Sequence, residues 1–316
     1  MISRIKPFTS FVIYCHQAAP ALKPFMAVLG KLIHDRFENA EVILVDDASS
    51  DNTAKTGLES LKEQGLIGSV LVLPHRHYRE RALFAGSDKS IGDFVLEFDA
   101  CDPGLPIHLV PSLFEKSAAE GADLVALCPD RINDFATRLY YRVFNHFSEL
   151  PRPIVRQRIL LSSRRSINAL LNIQERTRNR QVLSQMIGFT LLRVNYPGSD
   201  SSSSNLDGDF WDRTSIGLEN LIAYTKIGAR LPMMLSAGFA ALTVIILFYT
   251  VISLILRHDV ASGWASLMLF MGIGFSGIFL ILALLSLYVT KVLRETVNLP
   301  IYTVREILRH CVPHRT

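Results

Sequence analysis

Acidic side chains stand directly after two apolar runs of the chain, where they could bind a nucleotide and a cation. The first run is followed by Asp46 and Asp47, and two carboxylates at a strand end can accept hydrogen bonds from a base or a ribose. The second run, Phe94–Phe98, is followed by Asp99 and Asp102. Because hard oxygen ligands suit Mg²⁺ and Mn²⁺, this second turn could hold a cation that bridges a diphosphate.

Each acidic turn also has a structural interpretation. Asp51 follows the first pair and has the residue type that caps the next helix. The dipeptide Asp102-Pro103 is common in turns that bind nothing. For Asp46 and Asp47, the sequence leaves binding and a structural role open.

Short apolar runs alternate with helical patterns through the first half of the chain. Such a pattern would place both acidic turns at the ends of strands in one sheet. The predicted strands are Phe11–Cys15, Val42–Val45, Val70–Leu73, Phe94–Phe98 and Leu124–Leu127. Helical patterns such as Ala18–Phe37 and Thr53–Gln64 fill the intervals. This alternation predicts an α/β fold with a mainly parallel sheet covered by helices on both faces. Ligands of such sheets bind beyond the carboxyl ends of the strands, where strand order reverses.

Composition excludes several other classes of protein. A formal net charge of +4 over 316 residues is too mild to predict nucleic-acid binding. The four cysteines, Cys15, Cys101, Cys128 and Cys311, form no CxxC pair. We therefore expect reduced thiols rather than a zinc site or a disulfide framework.

Two long uncharged stretches near the C-terminus predict a transmembrane hairpin. Residues 233–256 and 264–290 contain no charged side chain, and each is long enough to cross the ~30 Å hydrocarbon core of a bilayer. Basic residues flank the pair on the outside, whereas the short connection carries only Arg257. The positive-inside rule then predicts an inner or plasma membrane protein whose large domain and C-terminus are cytoplasmic.

The predicted domain organisation follows from these segments. Residues 1–205 form the α/β domain, 206–232 form juxtamembrane amphipathic helices, and 291–316 form a cytoplasmic tail. Gly272, Gly274 and Gly277 in the second apolar stretch would permit close helix contact, so a homo-oligomer is a further hypothesis.

Longer motifs give these segments a family resemblance. The runs AEVILVDDASSDNTAK and RERALFAGSDKSIGDFVLEFDACDP resemble the GT-A domain, a Rossmann-like fold, of family-2 glycosyltransferases. The runs RLYYRVFNHFSEL and LLSSRRSINALL, then ERTR and the two apolar stretches, are similar to the polyprenyl-phosphate glycosyltransferases. That group includes bactoprenol glucosyltransferases and dolichol-phosphate mannosyltransferase. The resemblance implies sugar transfer from a nucleotide sugar to an undecaprenyl-type phosphate at the cytoplasmic membrane face, feeding cell-envelope glycan modification.

The resemblance also implies a role for particular residues. The nucleotide-sugar site would contain Tyr14, Asp46, Asp47, Ser49 and Arg76. The phosphate of the acceptor would lie near Arg131, Glu175, Arg176 and Arg178. Asp99 and Asp102 would be the catalytic carboxylates and the ligands of Mg²⁺ or Mn²⁺.

The metal motif departs from the family pattern, and this leaves alternatives open. Asp99 is followed by Ala100 and Cys101 instead of completing Asp-x-Asp, and Gln157 and Arg158 stand where an acidic residue is usual. The chain could be a transferase, with this lipid acceptor or another, or a non-catalytic relative that binds a nucleotide sugar or lipid. Two carboxylates at the carboxyl edge of the sheet would favour the enzyme, whereas a helix-capping role would favour the binder.

Overall fold

The structure is a computed structural model. It describes residues 4–132, 134–148, 150–173, 180–186, 188–199, 263–296 and 302–311, with a few positions between 234 and 248. The chain divides into two compact units. One contains residues 1–217 together with 300–316, and the other contains residues 218–299.

The first unit contains an eight-stranded mixed sheet with the order β7-β5-β6-β4-β1-β2-β3-β8. Strands β4, β1, β2 and β3 are parallel to one another, as are β5 and β7. Strand β6 is antiparallel to both β4 and β5, and β8 is antiparallel to β3. The strands are β1 Thr9–Cys15, β2 Ala40–Asp46, β3 Gly68–Val72, β4 Phe94–Phe98, β5 Leu124–Arg131, β6 Ile159–Ser163, β7 Leu191–Ser199 and β8 Glu306–His310.

Helices connect the strands. They are α1 Ala19–Arg36, α2 Thr53–Glu63, α3 Tyr78–Lys89, α4 Val110–Glu120, α5 Phe135–Phe147, α6 Arg164–Leu171 and α7 Arg180–Met186. A 3₁₀ turn, Ile107–Leu109, precedes α4. In α1, Leu22, Met26, Leu29 and Ile33 recur at helical spacing and are buried, which produces one apolar face against the sheet.

The core lies on both faces of the central strands. All seven residues of β1 are buried, as expected for a parallel strand covered on two sides. Phe11 and Ile13 belong to the larger apolar cluster, whereas Val12 and Tyr14 belong to a second cluster, because successive side chains of a strand face opposite ways. Helix α3 approaches β1 closely at Gly86, where a Cβ atom would lie 2.3 Å from Val12 Cγ1.

The predicted α/β fold, its five strands and the two named helices are confirmed. Three strands were not predicted. Strand β6 lies in the LLSSRRSINALL motif, which sequence reasoning used only for its resemblance. Strand β7 follows α7, and β8 lies in the segment predicted as a tail.

The second unit contains α8, Gly263–Thr296. This helix includes the second predicted span, 264–290, whereas most of the first span, 233–256, and all of segment 206–232 lie outside the described residues. When only described residues are counted, no helix is both long and apolar enough to cross a membrane. Gly277 lies against the ring of Phe239, since a Cβ there would come within 2.7 Å of it.

Candidate active site

Strand order reverses between β1 and β4, whose carboxyl ends lie at the same edge of the sheet. From β1 the chain continues to β2 and β3 on one side, and then returns to form β4 on the other. Loops that leave neighbouring strands in opposite directions leave an opening between them, where α/β proteins bind ligands. Cys15 ends β1, and Asp99 follows β4. The thiols of Cys15 and Cys101 lie 3.1 Å apart across this point.

Asp47 connects the loops that follow β1, β2 and β3. Its carboxylate is fully buried and accepts hydrogen bonds from Tyr14 Oη (3.2 Å) and from the backbone N–H of His77 (2.6 Å). Its backbone carbonyl makes a hydrogen bond with the ring of His16 (2.8 Å). Both carboxylate oxygens therefore have partners within the chain, so the geometry gives Asp47 a positioning role rather than a direct role in binding.

Asp46 and Ser49 form the turn after β2. The backbone N–H of Ser49 donates to Asp46 Oδ1 (3.1 Å), and the hydroxyl of Ser49 accepts from the backbone N–H of Gln17 (3.0 Å). Burial raises the pKa of Asp46 above its usual value, since a desolvated carboxylate is less stable in its charged form. Asp51 precedes Asn52, the N-cap residue of α2, and its Oδ1 accepts from the backbone N–H of Thr53 (3.0 Å), the first residue of the helix.

Three non-glycine residues at this edge have left-handed backbone conformations. Gln17 follows β1 with φ 49°, Ala48 follows β2 with φ 52°, and Tyr78 begins α3 with φ 62°. Such conformations are unfavourable for residues with a Cβ atom and concentrate at binding and catalytic sites. Within the described residues, these are the non-glycine residues with positive φ, and all three lie beside the predicted site.

Asp99 and Asp102 converge on one arginine. Arg158 Nε donates to Asp99 Oδ1 (2.9 Å), and Arg158 Nη2 donates to Asp102 Oδ2 (3.0 Å). The backbone of Arg158 extends the sheet, because its carbonyl accepts from Asp99 N–H and its own N–H donates to the Leu127 carbonyl (both 3.0 Å). Both carboxylates lie at the carboxyl end of β4, and Asp102 closes a turn with Gly104 N–H (2.8 Å) instead of capping a helix. The sequence associated this position at the sheet edge with the enzyme, on the condition that the two carboxylates jointly hold a cation.

Two further arginines approach the second oxygen of Asp99. Arg156 Nη2 lies 3.1 Å and Arg79 Nη1 lies 3.8 Å from Asp99 Oδ2. Each oxygen of Asp99 therefore faces a guanidinium group. Among the residues that the structure describes, no group of three or more potential ligands could hold a metal ion. The predicted Mg²⁺ or Mn²⁺ site at Asp99 and Asp102 does not fit these surroundings, because cationic side chains occupy the positions that a cation would need.

A second charged network, which sequence reasoning missed, adjoins the first, because Arg79 Nε lies 3.9 Å from Glu80 Oε1. Arg180 Nε donates to Glu80 Oε2 (3.1 Å), and Arg180 Nη1 pairs with Glu97. Glu97 also accepts from Ser87 Oγ (2.5 Å). Burial opposes the ionisation of Glu80, but Arg180 and Arg79 outweigh it and lower the pKa of Glu80. An acidic residue within the apolar strand β4 was the available signal, since a buried charge requires a partner.

Arg76 and Arg131 are the other predicted site residues that the structure describes. The guanidinium of Arg76 lies over the ring of Tyr78, 4.9 Å from its centroid, which is a cation–π contact beside the Asp47 loop. Arg131 is exposed at the end of β5, at the same edge but with β6 between β5 and β4. Glu175, Arg176 and Arg178 lie outside the described residues.

Comparison with known proteins identifies similar chains. The model of the family described as Glycosyl transferase family 2 matches residues 10–180, just over half of the chain. The bactoprenol glucosyl transferase of Shigella phage SfX is 25% identical over 282 residues, which cover 84% of this chain and 88% of that protein. The undecaprenyl-phosphate 4-deoxy-4-formamido-L-arabinose transferase of Pseudomonas paraeruginosa is 37% identical over 99 residues, or 31% of this chain and 28% of that protein. A solved mannosyltransferase from Pyrobaculum calidifontis, in complex with GDP-Man and Mn²⁺, is 15% identical with a TM-score of 0.44 and 88% coverage of each chain.

Proposed function

Since the chain belongs to glycosyl transferase family 2 and is a glycosyltransferase, we propose that it transfers a sugar from a nucleotide sugar to a polyprenyl phosphate. The observation that carries this proposal is the extent of the similarity to the bactoprenol glucosyl transferase of phage SfX, which covers 84% of this chain. The proposed acceptor is of the undecaprenyl type, and the product would serve cell-envelope glycan modification.

The nucleotide part of the donor would bind over the loops that follow β1 and β2. Tyr14 is held by Asp47, and Ser49 is held by the turn at Asp46, so these side chains are fixed before a ligand arrives. Preorganised polar groups lose less conformational freedom when a ligand binds. Arg76, beside the same loops, adds a positive charge near the phosphates of the donor.

The reaction needs one substitution at the anomeric carbon of the sugar. An oxygen of the lipid phosphate attacks this carbon, and the bond to the diphosphate oxygen breaks, so that its electron pair leaves with the nucleoside diphosphate. The attacking phosphate oxygen is already ionised, and no general base is required. The chain must hold two anionic groups close together and stabilise the negative charge that develops on the leaving diphosphate.

The proposed location of this reaction is the cytoplasmic face of a membrane, where a polyprenyl phosphate presents its headgroup. The support is the absence of charged residues in 233–256 and 264–290 and the basic residues around them. A chain that alkaline carbonate releases from isolated membranes would contradict this part of the proposal.

The test is a transfer assay with the purified full chain in detergent. Polyprenyl phosphate is mixed with a panel of labelled nucleotide sugars, and label that enters the organic phase is counted. We expect transfer from at least one donor to polyprenyl phosphate and none to the matching polyprenol. Asp99→Asn should lower kcat/KM about 100-fold, because Asp99 holds the arginines around it in position, whereas Asp35→Asn, at an exposed position on α1, should leave it unchanged. Folded protein that labels no lipid phosphate with any donor would overturn the proposal.

A further inference from the structure

Three arginine side chains surround the two carboxylates at the carboxyl end of β4. Arg158 donates to Asp99 and to Asp102, and Arg156 and Arg79 lie 3.1 and 3.8 Å from the remaining oxygen of Asp99. Three guanidinium groups therefore face Asp99 and Asp102 at the point where strand order reverses, and Arg79 also lies 3.9 Å from Glu80.

Each carboxylate oxygen of Asp99 and Asp102 has a positively charged group or an N–H donor beside it. Both oxygens of Asp99 face guanidinium groups. In Asp102, one oxygen accepts from Arg158 (3.0 Å) and the other accepts from the backbone N–H of Gly104 (2.8 Å). A divalent cation would need these oxygens as ligands and would lie within a few ångströms of Arg158. Repulsion between like charges at that distance is strong in a buried site.

The arginines are held by the fold as well as by the carboxylates. The backbone of Arg158 continues the β4 and β5 ladders through hydrogen bonds to Asp99 and Leu127. Only 2% of the side chain of Arg158 and 6% of that of Arg156 are exposed, whereas 19% of Arg79 is exposed at the start of α3. Arg79 is thus the member of the group that an incoming ligand reaches first, and Arg156 and Arg158 lie beneath it.

From this arrangement we infer that arginine side chains replace the divalent cation at this site, so that the nucleoside diphosphate binds without a metal ion. The inference rests on the proposed function, because it concerns the diphosphate of the nucleotide-sugar donor. Arg79 contacts the diphosphate. Arg156 and Arg158 neutralise Asp99 and Asp102, which would otherwise repel it. Guanidinium groups suit this role because their planar N–H donors pair with phosphate oxygens.

During transfer, the cluster would do what a cation does in other transferases. The bond from the anomeric carbon to the diphosphate oxygen breaks, and its electron pair stays on that oxygen. The leaving diphosphate gains one negative charge, and the N–H groups of Arg79 stabilise this charge. No proton and no further reactant is needed for this step.

The test measures binding rather than turnover. UDP and GDP are titrated into the full chain in detergent by calorimetry, once with excess EDTA and once with excess Mn²⁺. We expect the dissociation constant of the nucleotide that binds to differ by less than about threefold between the two buffers. Because free nucleotide itself binds Mn²⁺, the electron paramagnetic resonance signal of free Mn²⁺ should be the same with protein and nucleotide as with the same concentration of nucleotide alone.

A single substitution tests the role of Arg79 in nucleotide binding. Arg79→Gln should weaken nucleotide binding in EDTA about tenfold or more. Arg165→Gln is the matched control, because Arg165 is exposed and pairs with Asp123, which directly precedes β5. The nucleotide affinity of this variant should equal that of the wild type. The substitution replaces a partly exposed side chain and keeps Arg156 and Arg158. The unfolding transition of the Arg79 variant verifies that it folds.

The outcomes distinguish this inference from the proposed function. Nucleotide binding that requires Mn²⁺, or protein that lowers the free Mn²⁺ signal below that of nucleotide alone, would overturn the inference and leave the proposed function intact. An Arg79→Gln variant that binds as tightly as the control would also overturn it. No binding of any nucleotide in either buffer would overturn the proposed function and the inference together.

Discussion

Asp47 shows how one side chain can position several loops. It is fully buried and accepts hydrogen bonds from Tyr14 and from the backbone of His77. We predict that Asp47→Ala lowers the free energy of unfolding by about 3 kcal/mol, because two buried donors lose their acceptor. Urea denaturation of the full chain measures this. Asp35→Ala, at an exposed position, is the matched control and should change the free energy by less than about 0.5 kcal/mol. Equal effects of the two substitutions would contradict the positioning role.

The thiol of Cys128 gives the stability a pH dependence. Burial raises the pKa of Cys128 to about 11. Between the pKa of an unfolded thiol, about 8.5, and this folded value, the unfolded chain loses its proton and the folded chain keeps it, so the free energy of unfolding falls as pH rises. In Cys128→Ala this contribution is absent. We therefore expect the wild type to lose about 2 kcal/mol more than the variant between pH 8 and pH 11. Parallel pH profiles of the two proteins would contradict the assignment.

At the residue scale, the acidic turns could be predicted and their partners could not. Asp46, Asp47 and Asp99 directly follow apolar runs in the sequence, Asp102 comes three residues after Asp99, and the strands end within one residue of those runs. Arg156 and Arg158 lie more than fifty positions further along the chain, before a strand that runs in the opposite direction. The local sequence pattern does not show that β6 lies between β4 and β5 and runs opposite to both. For this reason the sequence predicted a cation where the structure has arginines.

Strand β6 is the element that determines this site. It lies between β4 and β5 and is antiparallel to both, so its first residues lie at the edge where the other two strands end. This reversal brings Arg158 beside Asp99. A short strand such as ILLSS looks the same in sequence whichever way it runs, and its direction becomes visible only through its neighbours.

Helix α7 is held to the domain by a charged contact. Arg180 pairs with Glu80 on α3 and with Glu97 on β4, and 2% of the Glu97 side chain is exposed. Arg180→Met should lower the free energy of unfolding by about 3–5 kcal/mol, because it leaves a buried carboxylate without its cation.

The matched experiment for α7 is a second substitution. Glu97→Gln in the Arg180→Met background removes the unpaired charge and keeps the hydrogen bond from Ser87 possible. Unfolding measurements should show that the double variant regains at least about 1 kcal/mol of the loss. A double variant less stable than Arg180→Met alone would show that the charge on Glu97 is not the cause.

Strand β8 covers the edge of β3, with Leu308 opposite Val70. Leu308 is partly buried and packs against the larger apolar cluster. Leu308→Ala should lower the free energy of unfolding by about 1–2 kcal/mol, less than for a fully buried leucine. Thermal unfolding checks this against Arg309→Ala, an exposed neighbour on the same strand. If the two variants unfold at the same temperature, β8 does not contribute to the stability of the domain.

At the scale of the whole molecule, the sequence predicted the α/β domain but not its full extent. The predicted tail, 291–316, contains a strand of the sheet, so the first unit includes residues from both ends of the chain. A five-residue strand with charged side chains at Glu306 and Arg309 has no apolar alternation of its own. It becomes a strand because β3 offers an open edge, and such tertiary effects do not appear in a local pattern.

The membrane location and the polyprenyl-phosphate acceptor are proposals drawn from sequence and similarity. The uncharged stretches and the 84% coverage by a bactoprenol glucosyl transferase support them. The structure adds the point where strand order reverses, at the carboxyl ends of β1 and β4, with its hydrogen-bonded polar loops and its cluster of arginines.

The most direct test of this account is an experimental structure of the full chain with the nucleoside diphosphate that it binds. We predict the nucleoside beside Tyr14 and Ser49 and the diphosphate next to Arg79, with Asp99 and Asp102 still paired to Arg158. A nucleotide bound at another edge of the sheet would contradict the proposed site. A metal ion between Asp99 and the diphosphate would instead contradict the role given to the arginines.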